Sequence, residues 1–188
     1  HELFSGEPLT IRALYDLRET GIELGSGFMV GLPGETERTR FENLLLCRDL
    51  ELDMIGIGPF IPNPDTPLGN ALPGTIAETV RMTALLRIIL PDANIPATTA
   101  AGSLAAGGRE AMLAAGANVL MPNITPLDVR TCYLLYPGKD TIRQDGVQEL
   151  GEIGERLRSL GRTMRHDRGD SRSSSARTGL PKAIGAVN

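Results

Sequence analysis

Leu24–Leu32 reads LGSGFMVGL and Asp53–Ile61 reads DMIGIGPFI. Both are short apolar runs without polar alternation. Pro33-Gly34 closes the first and Pro62 the second. This is the pattern of parallel strands covered on at least one face by helices. Between them, Glu35–Leu50 has helical spacing, with Phe41, Leu44 and Leu45 on one face and Thr36 as N-cap. Upstream, Leu9–Thr20 places Leu9, Ala13, Leu14 and Leu17 at helical spacing and stops at Gly21. Downstream, Pro62–Gly74 reads as a loop, and Thr75–Leu90 as a helix with Val80, Ala84, Leu85 and Ile88 aligned. Asn94–Ala100 (NIPATTA) and Asn118–Ile124 (NVLMPNI) are two further strand candidates, separated by a helix over Gly108–Ala115. Leu127–Tyr136 predicts a short helix and Gln148–Leu160 a longer one.

Alternating strands and helices imply an α/β fold with parallel pairing and right-handed crossovers. Two architectures fit: a doubly wound open sheet, or part of a (β/α) barrel. Pro59, Pro62, Pro96, Pro122, Gly56 and Gly58 lie inside the strands or at their C-terminal ends. Barrel enzymes keep their chemistry at that end. No phosphate-binding glycine loop follows the first strand: GSGFMVGLPG lacks the Gly-Lys-Ser/Thr of a P-loop, and Pro33 stands where a dinucleotide-binding helix would open. A half-barrel is the better reading. Residues 1–161 form its body, and 162–188, rich in Ser and Arg, read as a disordered basic tail.

The 188 residues contain only 4% aromatics and no Trp, against 22 Gly and 13 Pro. A net charge of −4 argues against nucleic acid as an obligatory partner. No apolar run reaches bilayer length and His1–Glu7 has no signal-peptide pattern, so no membrane association and a cytoplasmic location are expected. The histidines are His1 and His166, outside the predicted core, which removes a Ser-His or Cys-His system. Cys47 and Cys132 stand alone, so no zinc or iron–sulfur motif is present in these residues. What remains is polar groups at strand ends. Thr98 and Thr99 can present hydroxyls to a cavity or simply favour the strand. Gly107-Gly108-Arg109 could offer N–H groups to an anion or merely open a helix. Asp65 is a turn-maker or a pocket acid. Tyr133 and Tyr136 are three apart on a predicted helix. Met29 and Met54 pack in strands or touch a flat ligand, and Gly31, Gly56 and Gly58 permit close backbone approach.

The strings GSGFMVGLPGET (25–36), LDMIGIGPFIPNPDTPLGN (52–70), LPDANIPATTAAGSLAAGGREAMLAAGANVLMPNITP (90–126) and YLLYPGK (133–139) go beyond generic barrel sequence. Together they resemble the C-terminal half of the FeFe-hydrogenase maturase family of radical S-adenosylmethionine (SAM) enzymes, within the wider biotin synthase and methylornithine synthase group. The resemblance implies a TIM-type (β/α) barrel of which these four strands are the fifth to eighth, with the biotin/thiamin-synthesis-associated region inside residues 1–161. It implies SAM and a 4Fe-4S cluster whose ligands lie outside this chain, so that this part alone is inactive. The 5'-deoxyadenosyl radical would act on an iron–cysteine carbonyl/cyanide precursor, and other hydrogenase maturation proteins would be partners. Met29, Gly31, Met54, Ile55, Gly56 and Ile57 resemble the residues lining SAM; Thr98, Thr99, Tyr133 and Tyr136 resemble those at the substrate. Thr10 stands where relatives carry a SAM-contacting arginine, with Arg12 the nearest basic residue. The alternatives are a biotin- or methylornithine-type synthase, or a non-catalytic half-barrel that pairs with a separate cluster-binding half.

Overall fold

A computed structural model describes residues 7–123, 125–129, 132, 136, 138, 146–165 and 167–173. In chain order these form α1 (Glu7–Glu19), β1 (Gly25–Val30), α2 (Glu37–Asp49), β2 (Met54–Pro59), α3 (Ile76–Ile89), α4 (Thr99–Leu104), α5 (Gly108–Ala114) and α6 (Gly146–Ser159). β1 and β2 pair in parallel, Gly25 opposite Met54 through Val30 opposite Pro59. Beyond β2 the sheet continues through single parallel bridges, Met54 to Asn94 and Pro96 to Val119. The spatial order therefore follows the sequence order, as right-handed βα units require. The third and fourth strands are shorter than the sequence predicts. Pro96 has no N–H to extend the ladder, and the chain turns into α4 from Thr98 instead of remaining extended to Ala100.

β2 buries alternate residues. Ile55, Ile57 and Pro59 are buried, while Met54, Gly56 and Gly58 are only partly so. Ile55 and Ile57 join Leu44, Cys47, Met82, Leu86 and Ile95 in the apolar core. The side chains of a strand alternate between faces, so one face of β2 meets the helices and the other is left open.

Thr36 and Thr75 cap α2 and α3 as side-chain acceptors for the N–H groups of Thr39 and Glu78. The buried faces of these helices differ from the expected ones. α3 buries Thr79, Met82, Thr83 and Leu86, and leaves Ile88 76% exposed. The threonines can enter the core because each hydroxyl donates to the carbonyl four residues back, Thr79 to Thr75 at 2.9 Å and Thr83 to Thr79 at 2.8 Å. On α2, Leu44 and Cys47 point inward and Phe41 is exposed.

The strand starts are closed by a polar network. Asp53 is fully buried; its carboxylate accepts the Leu24 N–H at 2.9 Å and the Ser173 hydroxyl at 3.0 Å. Asn118 accepts the Ile95 N–H at 2.7 Å and donates to Asn94 at 3.1 Å, and Asn94 donates to the Gly169 carbonyl at 2.8 Å. Arg162 donates to the Ala117 carbonyl at 2.9 Å. Ser171 is fully buried, with its N–H on Glu23 at 2.6 Å and its hydroxyl on the Asp92 carbonyl at 3.2 Å. Within the described part of 162–188, Arg162, Gly169, Ser171 and Ser173 thus bond to the body. The short polar side chains there satisfy buried groups that would otherwise be costly. Residues 174–188 lie outside the described ones. So do 130, 131 and 133–135 of the helix expected over Leu127–Tyr136; there the chain shows turn bonds from Val129 to Pro126 and from Cys132 to Val129.

Replacing Asp53 by Ala strands the Leu24 N–H and the Ser173 hydroxyl. A loss of about 2–3 kcal/mol is expected in chemical denaturation. Burial pushes the Cys47 thiol up to about 11 from 9.0. The folded chain holds the proton more tightly than the unfolded one, so this stabilisation is complete below 9.0 and lost as pH rises towards about 11. At pH below that window, maleimide should modify exposed Cys132 and spare Cys47 until the protein unfolds, as read by peptide mass spectrometry.

Candidate functional site

The open face of the sheet is set by register. Gly25, Gly27 and Met29 of β1 lie opposite Met54, Gly56 and Gly58 of β2. A Cβ at Gly27 would run into the Gly56 carbonyl, so the two strands meet closely only with glycine there. A Cβ at Gly56 would touch nothing nearer than the Ser26 carbonyl at 3.8 Å, which leaves a strip free of side chains. Met29, 50% exposed, borders this strip at its C-terminal end. Thr98 stands over the same end: its Oγ1 would lie 2.8 Å from a Cβ at Gly58. Thr98 is the N-cap of α4 but makes no capping hydrogen bond with its side chain; its hydroxyl faces the Met112 sulfur at 4.0 Å.

The sequence reading places Ile55 and Ile57 among the SAM-lining residues. The structure turns both side chains into the core, at 0% and 1% exposure, because the alternation of β2 gives the open face to Met54, Gly56 and Gly58. Gly31 serves a turn. Its φ of 86° is left-handed, and its N–H is held by the Glu35 carboxylate at 2.7 Å. Glu35 in turn faces Arg40 at 3.5 Å, and Arg40 faces Glu78 at 3.3 Å. The Gly31 N–H is therefore committed within the fold. Thr99 opens α4 instead of ending a strand, and remains partly buried beside Thr98. Tyr133 lies outside the described residues.

Tyr136 is half-buried. Burial pushes its phenol up, while a hydrogen bond with Ser103 and the charge of Arg109 pull it back in part. Arg109 is the residue the sequence reading did not single out. It stands in a glycine-rich helix start, which the structure gives as a plain helix entry with Gly107 left-handed at φ 78°. The Gly108 N–H already bonds the Ala105 carbonyl at 3.0 Å, and α5 is only seven residues long. The Arg109 side chain instead runs under α4 and donates from Nη2 to the Met121 carbonyl at 3.2 Å, with 8% exposure. Nothing in the letters GGREAM distinguishes a buried arginine from a solvated one. Asp65 is exposed in a turn whose N–H groups Asn63 receives, so it stays a turn residue. Among the described residues, no group of three or more His, Cys, Asp or Glu could hold a metal ion, and no helix is long and apolar enough to cross a membrane.

The sequence matches one family model, the Biotin and Thiamin Synthesis associated domain, over residues 57–154, more than half of the chain. The chain belongs to this family. Its matched region runs from the middle of β2 into α6 and so contains Thr98, Arg109 and Tyr136. Among curated proteins the chain is 47% identical over 159 residues to the FeFe hydrogenase maturase subunit HydE of Thermotoga maritima, covering 85% of this chain and 46% of that one. It is 38% identical over 82 residues to the biotin synthase of Clostridium acetobutylicum, covering 44% of this chain and 25% of the relative. It is 31% identical over 141 residues to the biotin synthase of Brucella ovis, covering 72% of this chain and 41% of the relative. The chain thus spans about half the length or less of the curated relatives it matches.

Gly58→Ala would place a methyl against the Thr98 hydroxyl. The threonine should rotate away at a cost within about 1 kcal/mol. Denaturation should show the fold retained, while calorimetric binding of a polar ligand at this end should weaken.

Proposed function

We propose that this chain is part of a radical SAM enzyme that matures the FeFe hydrogenase, and that its sheet is the C-terminal half of a (β/α) barrel. The observation that carries the reading is the 47% identity over 85% of the chain to HydE, higher than that to the biotin synthases over comparable or shorter lengths. The strand order supports the barrel: successive strands lie side by side in parallel, and the outer edge of β1 is free among the described residues. Further strands would complete the sheet there.

The residues present fit SAM. A strip of glycine backbone on β1 and β2, bordered by the thioethers of Met29 and Met54, suits a flat purine. SAM supplies hydrogen-atom abstraction chemistry when bound. The cluster that activates it would need ligands from outside the described residues, since these hold no metal-binding group. The chain's own residues would do three things. Met29 and Met54 would flank the ligand with apolar surface and help exclude water. The Thr98 hydroxyl, left over from its capping role, would hydrogen-bond the polar end of the substrate. The Tyr136 phenol, whose proton burial holds more tightly, would donate a further hydrogen bond. The substrate is an iron–cysteine carbonyl/cyanide precursor in this reading, and other maturation proteins in the cytoplasm would take up the product.

The full-length gene should restore FeFe hydrogenase activity to a host lacking HydE and fail to rescue a biotin auxotroph; the reverse outcome would overturn the proposal. Thr98→Val should lower the recovered hydrogenase activity about tenfold, the worth of one hydrogen bond.

A further inference from the structure

The peptide that ends β1 joins Val30 to Gly31 and is held at both of its polar groups. The Val30 carbonyl accepts the Phe60 N–H at 2.8 Å, and the Gly31 N–H donates to the Glu35 carboxylate at 2.7 Å. A planar peptide bonded on both sides cannot turn freely, so it fixes the direction in which β1 ends. The run Leu32-Pro33-Gly34-Glu35 brings the carboxylate back to this point. Gly34, at φ 82°, turns the chain, and the Glu35 N–H meets the Leu32 carbonyl at 2.9 Å. The entry to α3 presses on the same peptide. Gly74 donates its N–H to the Phe60 carbonyl at 2.8 Å and lies so close that a Cβ there would overlap the Val30 carbonyl. Thus the end of β2, the entry to α2 and the entry to α3 all meet at the end of β1.

Arg40 links the two helix entries. Its Nη1 stands 3.5 Å from Glu35 Oε2 and 3.3 Å from Glu78 Oε2. Glu78 lies in the first turn of α3, and Arg81 donates to its other oxygen at 2.9 Å. The Glu35 side chain is 6% exposed and that of Arg40 is 18% exposed. Charges so far withdrawn from water are screened little, and removing one leaves its partner uncompensated.

We propose that Arg40 is a positioning residue: by bridging Glu35 and Glu78 it fixes the last peptide of β1, and with it the Met29 end of the open glycine strip. Arg40 acts through Glu35 and Gly31 and does not itself touch the ligand. That SAM lies on the strip rests on the proposed function; that Arg40 fixes the strand end does not. Both ion pairs use one nitrogen of the guanidinium, so a lysine can take its place.

The test uses the full-length protein as wild type, Arg40→Gln, Arg40→Lys and Glu78→Gln, with circular dichroism confirming the fold. Amide hydrogen exchange is measured residue by residue, and binding of S-adenosylhomocysteine by calorimetry. In Arg40→Gln the Gly31 amide should exchange about tenfold faster, while the Ile55 and Ile57 amides keep their wild-type rates. Glu78→Gln should act in the same direction by about threefold, and Arg40→Lys should restore most of the protection. The dissociation constant of S-adenosylhomocysteine should rise about threefold or more in Arg40→Gln and recover in Arg40→Lys. Unchanged exchange at Gly31 in folded Arg40→Gln overturns the proposal. Equal acceleration at Ile55 and Ile57 marks a general loss of stability and overturns it too. Should Arg40→Gln not fold, unchanged Gly31 exchange in Glu78→Gln has the same force. Faster exchange at Gly31 with unchanged affinity, in a protein whose wild type binds S-adenosylhomocysteine, also overturns the positioning role. A wild type that binds none of it counts against the proposed function instead, and the Gly31 exchange alone then decides whether Arg40 fixes the strand end.

Discussion

The buried carboxylate of Asp53 sits where three strands begin. Its side chain holds the Leu24 N–H, its backbone N–H reaches the Leu24 carbonyl at 2.9 Å, and its carbonyl takes the Asn94 N–H at 2.7 Å. One residue thereby ties β1, β2 and the strand at Asn94 into a common register. Register decides everything above it, since a slip of one residue exchanges the two faces of a strand. With Asp53 in place, Ile55 and Ile57 meet the helices and Gly56 and Gly58 face the open side. A slip would expose two isoleucines and bury a glycine strip against α2 and α3.

The same network explains why the segment after Gly161 is drawn back to the body. The strand starts present N–H and carbonyl groups that no helix covers. The short hydroxyl of Ser171 reaches the Asp92 carbonyl and that of Ser173 the Asp53 carboxylate. The opposite end of the sheet has a different character. There glycines, methionines and a few hydroxyls line an open face. The fold thus keeps its buried polar network at the strand starts and its open glycine strip along the sheet, whose C-terminal end is where parallel α/β architectures place their ligands.

Much of this was legible in the letters. The two apolar runs at Leu24 and Asp53 read as parallel strands, Thr36 as a cap, and Pro62–Gly74 as a loop. The inner face of α3 was not, because periodicity counts Thr79 and Thr83 as polar. Their back-bonded hydroxyls make them apolar in effect. The third strand's length was overestimated, because NIPATTA contains β-formers whose last two residues are used to start α4. Phe41 was assigned to a buried face that α2 gives to Leu44 and Cys47.

By itself the sequence determined the alternation of elements, the caps, the turns and the composition of the open strip, because each depends on the chemistry of neighbouring residues. Only the tertiary structure decided which face of β2 is open, that the serines near 171 belong to the body, and that the Arg109 stem is buried against Gly102 of α4. Those facts depend on groups far apart in the chain sharing one buried space: Asp53 with Ser173, Asn94 with Gly169, and Ser103 with Gly138. No local pattern encodes such a meeting, because its free energy comes from removing both partners from water together.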